Sequence, residues 1–312
     1  MEVILITGGT SGLGLHAARN LLEEGHAVVI TGRDLTKLES ATSWILSGLE
    51  PDARSRLHTI LLDFESLASV REAVEAFKAL QLPLHVLVNN AGTITPEREF
   101  APETTMVEKT IFVNAIAPFY LTWLLLPLLK QDNGDEDGDN HNDERRILFV
   151  TSSLHDPQQP GGGRTPESAM PDQIDFDNLD GHKSWDGMLF YKISKLAVLW
   201  ITYLLSKQCN IPVIAFCPGF VPATGLSRNA SWIKRMLMRY VLSQMSFARS
   251  EIESAADYVF YATNTDIKGI TGECFQRRKV IESSPESRDM ERAKQFWDLA
   301  CNVCKLGDRS LK

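Results

Sequence analysis

Three features predict a single doubly wound α/β domain. Short, almost wholly apolar runs rich in Val and Ile recur along the chain, longer helical stretches alternate with them, and a glycine-rich turn joins the first of each kind. Strands covered on both faces in a parallel sheet have no polar face, so they read as continuous apolar runs. Each parallel pair needs a crossover, and a helix supplies it in the right-handed sense.

The first run, Val3–Thr7, passes through Gly8–Gly14 into a helix over Gly12–Glu24. Strand Ala27–Thr31 and helix Leu35–Leu49 follow, then strand Leu57–Leu62 and helix Leu67–Leu80. Strand His85–Val88 leads to a long helical region, Glu103–Lys130. Strand Arg146–Thr151, helix Met188–Gln208, strand Val213–Cys217, helix Glu251–Thr263 and strand Ile270–Phe275 complete the pattern. The expectation is a seven-stranded parallel sheet with helices on both faces. No internal repeat or domain boundary is visible, so residues 1–312 read as one domain.

Three segments interrupt the alternation. They are an acidic loop at 131–144, a Pro/Gly-rich insertion within 154–187, and an apolar stretch at 226–245 flanked by Lys234, Arg235 and Arg239. The last reads as a lid over an apolar substrate, with a packing helix or a membrane-docking surface as alternatives.

Composition narrows the function. Hydrophobic residues are 44% and charged residues 23%, the balance of a globular protein rather than a disordered or collagen-like chain. The net charge of −8 excludes the basic face that nucleic-acid binding needs. Five scattered cysteines, an odd number, read as reduced thiols in an intracellular protein. Asn133, Asp135, Asp137, Gly138 and Glu144 approach a calcium-loop spacing, but the segment bridges a helix to a strand and opens on Asn. A solvated loop is the reading, and no metal is expected. The apolar stretch Ile111–Leu129 carries Asn114, Pro118 and Pro127, so it reads as a buried helix. With a strand beginning near Met1, no leader is expected, and the chain reads as a cytoplasmic protein.

The chemistry begins at Thr7-Gly8-Gly9-Thr10-Ser11-Gly12-Leu13-Gly14. A glycine-rich strand-to-helix turn brings the backbone close to a diphosphate at the positive end of the helix. The second strand ends Gly32-Arg33-Asp34. Gly32 stands where an acid selecting NAD is expected, and Arg33 offers a guanidinium to a 2′-phosphate, so NADP(H) is the favoured cofactor. Asp34 also fits the N-cap of the next helix. Tyr191 and Lys195 are four apart at the head of a long helix, so they share one face. An ammonium there favours the phenolate and makes Tyr191 a general acid/base.

These motifs together resemble a short-chain dehydrogenase/reductase, a Rossmann-fold family, over nearly the whole chain. The residues that carry the resemblance are TGGTSGLG at Thr7–Gly14, Asp63, NNAG at Asn89–Gly92, Asn114, Ser152-Ser153, YKISK at Tyr191–Lys195, and Pro218-Gly219. The finer similarity is to retinol dehydrogenase-like and protochlorophyllide reductase-like members, through Ile174–Leu179, Leu121–Leu129 and Pro218–Leu226.

The resemblance implies roles. Tyr191 exchanges a proton with the substrate oxygen, Lys195 holds the nicotinamide ribose and lowers the Tyr191 pKa, Ser153 bonds the substrate oxygen, and Asn114 supports Lys195 through a water-mediated relay. Gly8, Thr10, Ser11, Gly12, Leu13 and Gly14 hold the diphosphate, and Asp63 meets the adenine. Asn90, Ala91 and Gly92 line the adenosine ribose. Pro218, Gly219 and Val221 approach the carboxamide. Relatives carry a Thr where this chain has Ala223, so either a small shift makes Thr224 the contact or the grip on the cofactor is altered. The implied activity is NADP(H)-dependent interconversion of a carbonyl and an alcohol on a lipophilic molecule, in a ketoreductase or retinol dehydrogenase-like biosynthetic role. Non-redox isomerase or cyclase chemistry on the same scaffold, and nucleotide sensing, are the alternatives. Dimers or tetramers are implied by the resemblance.

Overall fold

The computed structural model describes residues 1–130, 145–159, 168–221 and 249–307. The acidic loop, the stretch at 226–245 and Thr224 lie outside these residues.

Strands β1 (Val3–Ile6), β2 (Ala27–Gly32), β3 (Leu57–Leu61), β4 (Val86–Asn89), β5 (Arg146–Val150), β6 (Val213–Cys217), β7 (Glu273–Gln276) and β8 (Lys279–Ile281) form one sheet in the order β3-β2-β1-β4-β5-β6-β7-β8. Seven are parallel. The sheet therefore exceeds the expectation by one strand, because β8 turns back antiparallel on β7. The hairpin turns on Arg277 and Arg278, both at positive φ (51° and 62°). Such turns usually carry Asn or Gly, and here other groups hold the backbone. The Arg278 N–H donates to the Tyr261 hydroxyl at 2.8 Å, and its Nε lies 3.0 Å from Asp257 Oδ1.

Successive residues of a strand point to opposite faces, and two cores result. Val3 and Leu5 of β1 join one with helices α3 (Leu67–Ala79), α4 (Lys109–Leu129), α5 (Gly187–Gln208) and α7 (Met290–Val303). Ile4 and Ile6 join the other with α1 (Gly12–Glu23), α2 (Leu35–Leu46) and α6 (Glu251–Thr263). By length and composition α4 and α5 would each suit a membrane span, but 78% and 83% of their apolar windows are buried inside the protein. Both are core helices of this fold.

The long helical region begins at Lys109 rather than Glu103. Glu108 is its N-cap, accepting the Thr110 N–H at 2.7 Å and the Thr95 hydroxyl at 2.7 Å. Burial raises the Glu108 pKa, and those hydrogen bonds oppose the rise. Within α4, Phe112–Ile116 form a π-helical turn. The expected cap at Asp34 is present, its carboxylate accepting the Lys37 N–H at 3.0 Å.

Helix α7 was not expected from sequence. Its Trp297 packs edge-on against Phe119 of α4, with ring centroids 4.7 Å apart. The Ile174–Leu179 segment stacks Phe176 on Trp200 of α5 at 5.5 Å. These contacts back the helix that carries Tyr191.

Candidate active site

The strand order reverses between β1 and β4, and ligand crevices in open α/β sheets form at such switch points, beyond the carboxyl ends of the strands. The motif residues gather there. Gly8 and Gly12 adopt φ of 68° and 55°, which side chains resist. A Cβ at Gly14 would come within 2.6 Å of Asn90 Nδ2 and 2.7 Å of the Gly8 carbonyl. The turn is thus packed against NNAG. Thr7 Oγ1 accepts the N–H groups of Asn90 and Ala91, each at 3.0 Å, and Asn90 Nδ2 donates to the Thr7 carbonyl at 2.7 Å.

Ser11 is the N-cap of α1, yet its hydroxyl makes no capping bond, and no acid occupies the first turn. Helix amides left without partners suit a diphosphate. This donor set, with Thr10 and Leu13 beside it, fits a dinucleotide.

Asn90 serves more partners than expected. Besides bracing the glycine turn, its Oδ1 accepts the hydroxyl of Tyr258, on α6, at 2.7 Å. Tyr258 was not foreseen, because nothing local ties it to NNAG. Asp63 accepts the Glu65 N–H at 3.0 Å with one carboxylate oxygen. Arg33 lies beside the crevice with its guanidinium Nη1 2.9 Å from Glu65 Oε1.

The reacting groups converge between β4, β5 and α5. Tyr191 and Lys195 are both buried, with the ammonium 5.7 Å from the centroid of the phenol ring. Lys195 Nζ donates to the Val150 carbonyl at 2.9 Å, and Thr151 Oγ1 donates to the Lys195 carbonyl at 2.8 Å. The end of β5 therefore fixes both ends of that lysine. Asn114, inside the π-helical turn, donates to the Thr93 carbonyl (2.9 Å) and to Ser194 Oγ (3.0 Å), and accepts the Thr93 N–H (2.7 Å). Ser194 in turn donates to the Tyr191 carbonyl at 2.6 Å. An ideal Cβ on Gly92 would stand 3.4 Å from Asn114 Oδ1 and 3.6 Å from Lys195 Nζ, so the NNAG loop reaches the same site.

One detail was not foreseen, and one differs from the expectation. The hydroxyl hydrogen-bonded to Tyr191 is that of Ser152, while Ser153 turns toward Cys217, whose Sγ accepts the Ser153 N–H at 3.2 Å. A short 3₁₀ turn at Ser153–His155 sets these directions. The Tyr191 pKa is raised rather than lowered: burial is the largest cause, the Cys217 thiolate form adds to it, and the Ser152 bond opposes it. Burial also brings Lys195 down to about 8, so its charge is itself weakened as a counterweight.

The Pro218-Gly219 turn closes the far wall. Gly219 takes φ 87°, and the Pro218 carbonyl accepts from Arg249 Nη1 and Ser254 Oγ, each at 3.1 Å. The Arg249 N–H donates to the Phe220 carbonyl at 2.9 Å. Arg249 is paired in turn with the buried Asp257. Val221 is buried at the end of this turn.

A family model described as short chain dehydrogenase matches residues 2–153. Polyprenol dehydrogenase of Mus musculus is 31% identical over 95% of this chain and 82% of its own length. The chain belongs to the short-chain dehydrogenase family. Retinol dehydrogenase 12 of Mus musculus is 28% identical over 97% of this chain and 86% of its own length. Among solved structures, the Pseudomonas aeruginosa RhlG/NADP active-site complex superposes with a TM-score of 0.63 at 22% identity, covering 92% of this chain and 96% of that one. This short-chain dehydrogenase is accordingly an oxidoreductase by family, with the family's doubly wound fold.

Proposed function

We propose that this enzyme interconverts a carbonyl and an alcohol on a lipophilic small molecule, with NADP(H) as the redox partner and Tyr191 as general acid/base. The observation that carries the reading is the buried Tyr191–Lys195 pair, with its ammonium 5.7 Å from the phenol ring, beside the glycine turn's crevice. Relatives named as polyprenol and retinol dehydrogenases support a lipophilic substrate. The RhlG/NADP complex supports the cofactor.

Bound NADP(H) supplies or accepts the hydride. The chain governs the proton and the geometry. The Tyr191 hydroxyl gives its proton to the carbonyl oxygen in reduction and takes it back in oxidation. Ser152 aligns the phenol, and Ser153 is the serine that the motif assigns to the substrate oxygen. Lys195 holds the ribose of the cofactor, with Asn114 and Ser194 fixing the helix face on which both residues stand. Gly8–Gly14 hold the diphosphate, and Arg33 meets the 2′-phosphate. Asp63 meets the adenine, and Asn90, Ala91 and Gly92 line the adenosine ribose. Pro218, Gly219 and Val221 close on the carboxamide, a contact to which the motif also assigns Thr224, outside the described residues. A cytoplasmic placement belongs to this reading and rests on five free thiols. So does a homo-oligomer, which rests on the family alone.

The test is NADPH consumption against lipophilic aldehydes and ketones, with NADH and Tyr191→Phe as controls. Turnover that falls on the order of 100- to 10,000-fold in the variant supports the reading. Tight NADPH binding without reduction of any compound points instead to non-redox chemistry.

A further inference from the structure

Arg33 belongs to a row of four charges at the adenosine end of the crevice. Its Nη1 lies 2.9 Å from Glu65 Oε1, Glu65 Oε2 lies 2.7 Å from Lys109 Nζ, and Lys109 Nζ lies 2.8 Å from Glu99 Oε2. Two charges of each sign alternate, so the row is neutral. Its members come from four places: the end of β2, the turn after β3, the loop after β4 and the first residue of α4. The Glu65 backbone is fixed by its bond to Asp63, which also stands at this end of the crevice.

We propose that Glu65 determines coenzyme preference by competing with the 2′-phosphate of NADP(H) for Arg33. This rests on the reading of Arg33 as the phosphate ligand. A phosphate reaching that guanidinium meets a carboxylate already seated on it, and two anions on one guanidinium repel each other. Arg33 is about half exposed, at 49%, whereas Lys109 is 16% exposed and held from both sides. An exposed ion pair exchanges at little cost, so Arg33 is the partner that Glu65 yields, and Lys109 is the one that it keeps. The phosphate carries more charge and more acceptor oxygens than the carboxylate, and it wins the guanidinium. Its gain is reduced by what Glu65 gives up. NAD(H), with a hydroxyl at that position, leaves the Arg33–Glu65 pair intact and gains nothing from its loss.

The experiment measures dissociation constants of NADPH, NADH and 2′,5′-ADP for the whole protein by tryptophan fluorescence and calorimetry. It compares the native chain with Glu65→Gln, Arg33→Ala and the double variant. Glu65→Gln keeps a hydrogen-bonding oxygen for Lys109, and an unchanged NADH constant reports an intact fold. Glu65→Gln should tighten NADPH and 2′,5′-ADP roughly threefold to tenfold. Arg33→Ala should weaken both, and the Glu65→Gln gain should vanish in the Arg33→Ala background. If Arg33→Ala leaves the NADPH-to-NADH ratio unchanged, the reading of Arg33 fails, and the role of Glu65 goes with it. If Arg33→Ala lowers that ratio but Glu65→Gln fails to tighten NADPH, the competition alone is overturned.

Discussion

The Tyr258 hydroxyl donates to Asn90 Oδ1 at 2.7 Å, joining helix α6 to the loop after β4 across 168 residues of sequence. Asn90 braces the glycine turn from below, so this bond supports the diphosphate crevice from outside it. Tyr258→Phe takes that donor from Asn90 Oδ1 in a half-buried place. The expected cost is about 0.5–1.5 kcal/mol of stability, read by urea denaturation, with NADPH binding weakened and kcat retained once the site is saturated.

Gly14→Ala addresses the same junction sterically. The new methyl group meets the Gly8 backbone oxygen at 2.7 Å and, at 2.6 Å, Asn90 Nδ2, the end of a side chain held by its bond to the Thr7 carbonyl. Overpacking of this sort costs about 1–3 kcal/mol. The variant should fold with a lower melting temperature and lose most of its NADPH affinity, measured by the same titration.

Lys195 gives a functional pH limb. Burial lowers its pKa from 10.5 to about 8, so the ammonium is present below that pH and is lost above it. If the charged form holds the ribose, kcat/KM in the reductive direction should fall as pH rises through about 8. Lys195→Arg, which stays protonated, should remove that limb while lowering the plateau. A profile flat from pH 7 to 9.5 in the native enzyme would contradict the assignment.

His155 gives a structural pH limb. Its Nδ1 is 2.6 Å from the Ser152 carbonyl, and its Nε2 accepts the Ser284 N–H at 3.3 Å, so the neutral ring ties the catalytic loop to the segment before α7. Burial lowers its pKa below the ordinary 6.5, while the Ser152 bond and Asp156 oppose that shift. The unfolded chain then takes up the proton before the folded one. The contribution is fully present above about pH 6.5 and is lost as pH falls from there through the folded-state pKa, by at most about 1.4 kcal/mol per pH unit. His26 and His58 are lowered too and act in the same window. Urea midpoints between pH 7.5 and 5 should therefore decline less steeply in His155→Asn than in the native chain.

The parts of the molecule legible in sequence were those whose signal is local. Strands β1, β2 and β4 to β6 were readable because burial on both faces demands continuous apolar runs, and Val213–Cys217 was placed to the residue; β3 and β7 are buried in part, and β7 runs over Glu273–Gln276 rather than Ile270–Phe275. Tyr191 and Lys195 were readable because helix spacing sets them on one face in a chain that also carries the glycine turn; the spacing by itself is common among surface residues. Strand β8 escaped because its turn uses two arginines at positive φ, stabilised by Tyr261 and Asp257 from a distant helix. Helix α7 carried a usable signal in Ala293, Phe296, Trp297, Ala300 and Val303, all buried at helical spacing behind the Asp289 cap. The partner of Arg33 was beyond reach, since Glu65 lies 32 residues away on another strand's turn. Which of Ser152 and Ser153 faces the phenol depends on a single 3₁₀ turn and on Cys217, and neither leaves a periodic trace.

One backbone bond has a wider meaning for this chain. The Arg249 N–H and the Phe220 carbonyl meet at 2.9 Å, and Arg249 Nη1 reaches the Pro218 carbonyl at 3.1 Å, so the chain before residue 222 and the chain after residue 248 are tied to each other, with Asp257 anchoring the arginine. Closing a longer or shorter excursion costs little extra entropy. With both ends pinned, the sequence between Phe220 and Arg249 is open to replacement. It can be exchanged for one of different length or character while Tyr191, Lys195 and the glycine turn stay where they are, and variants with altered substrate range are best sought between those two residues.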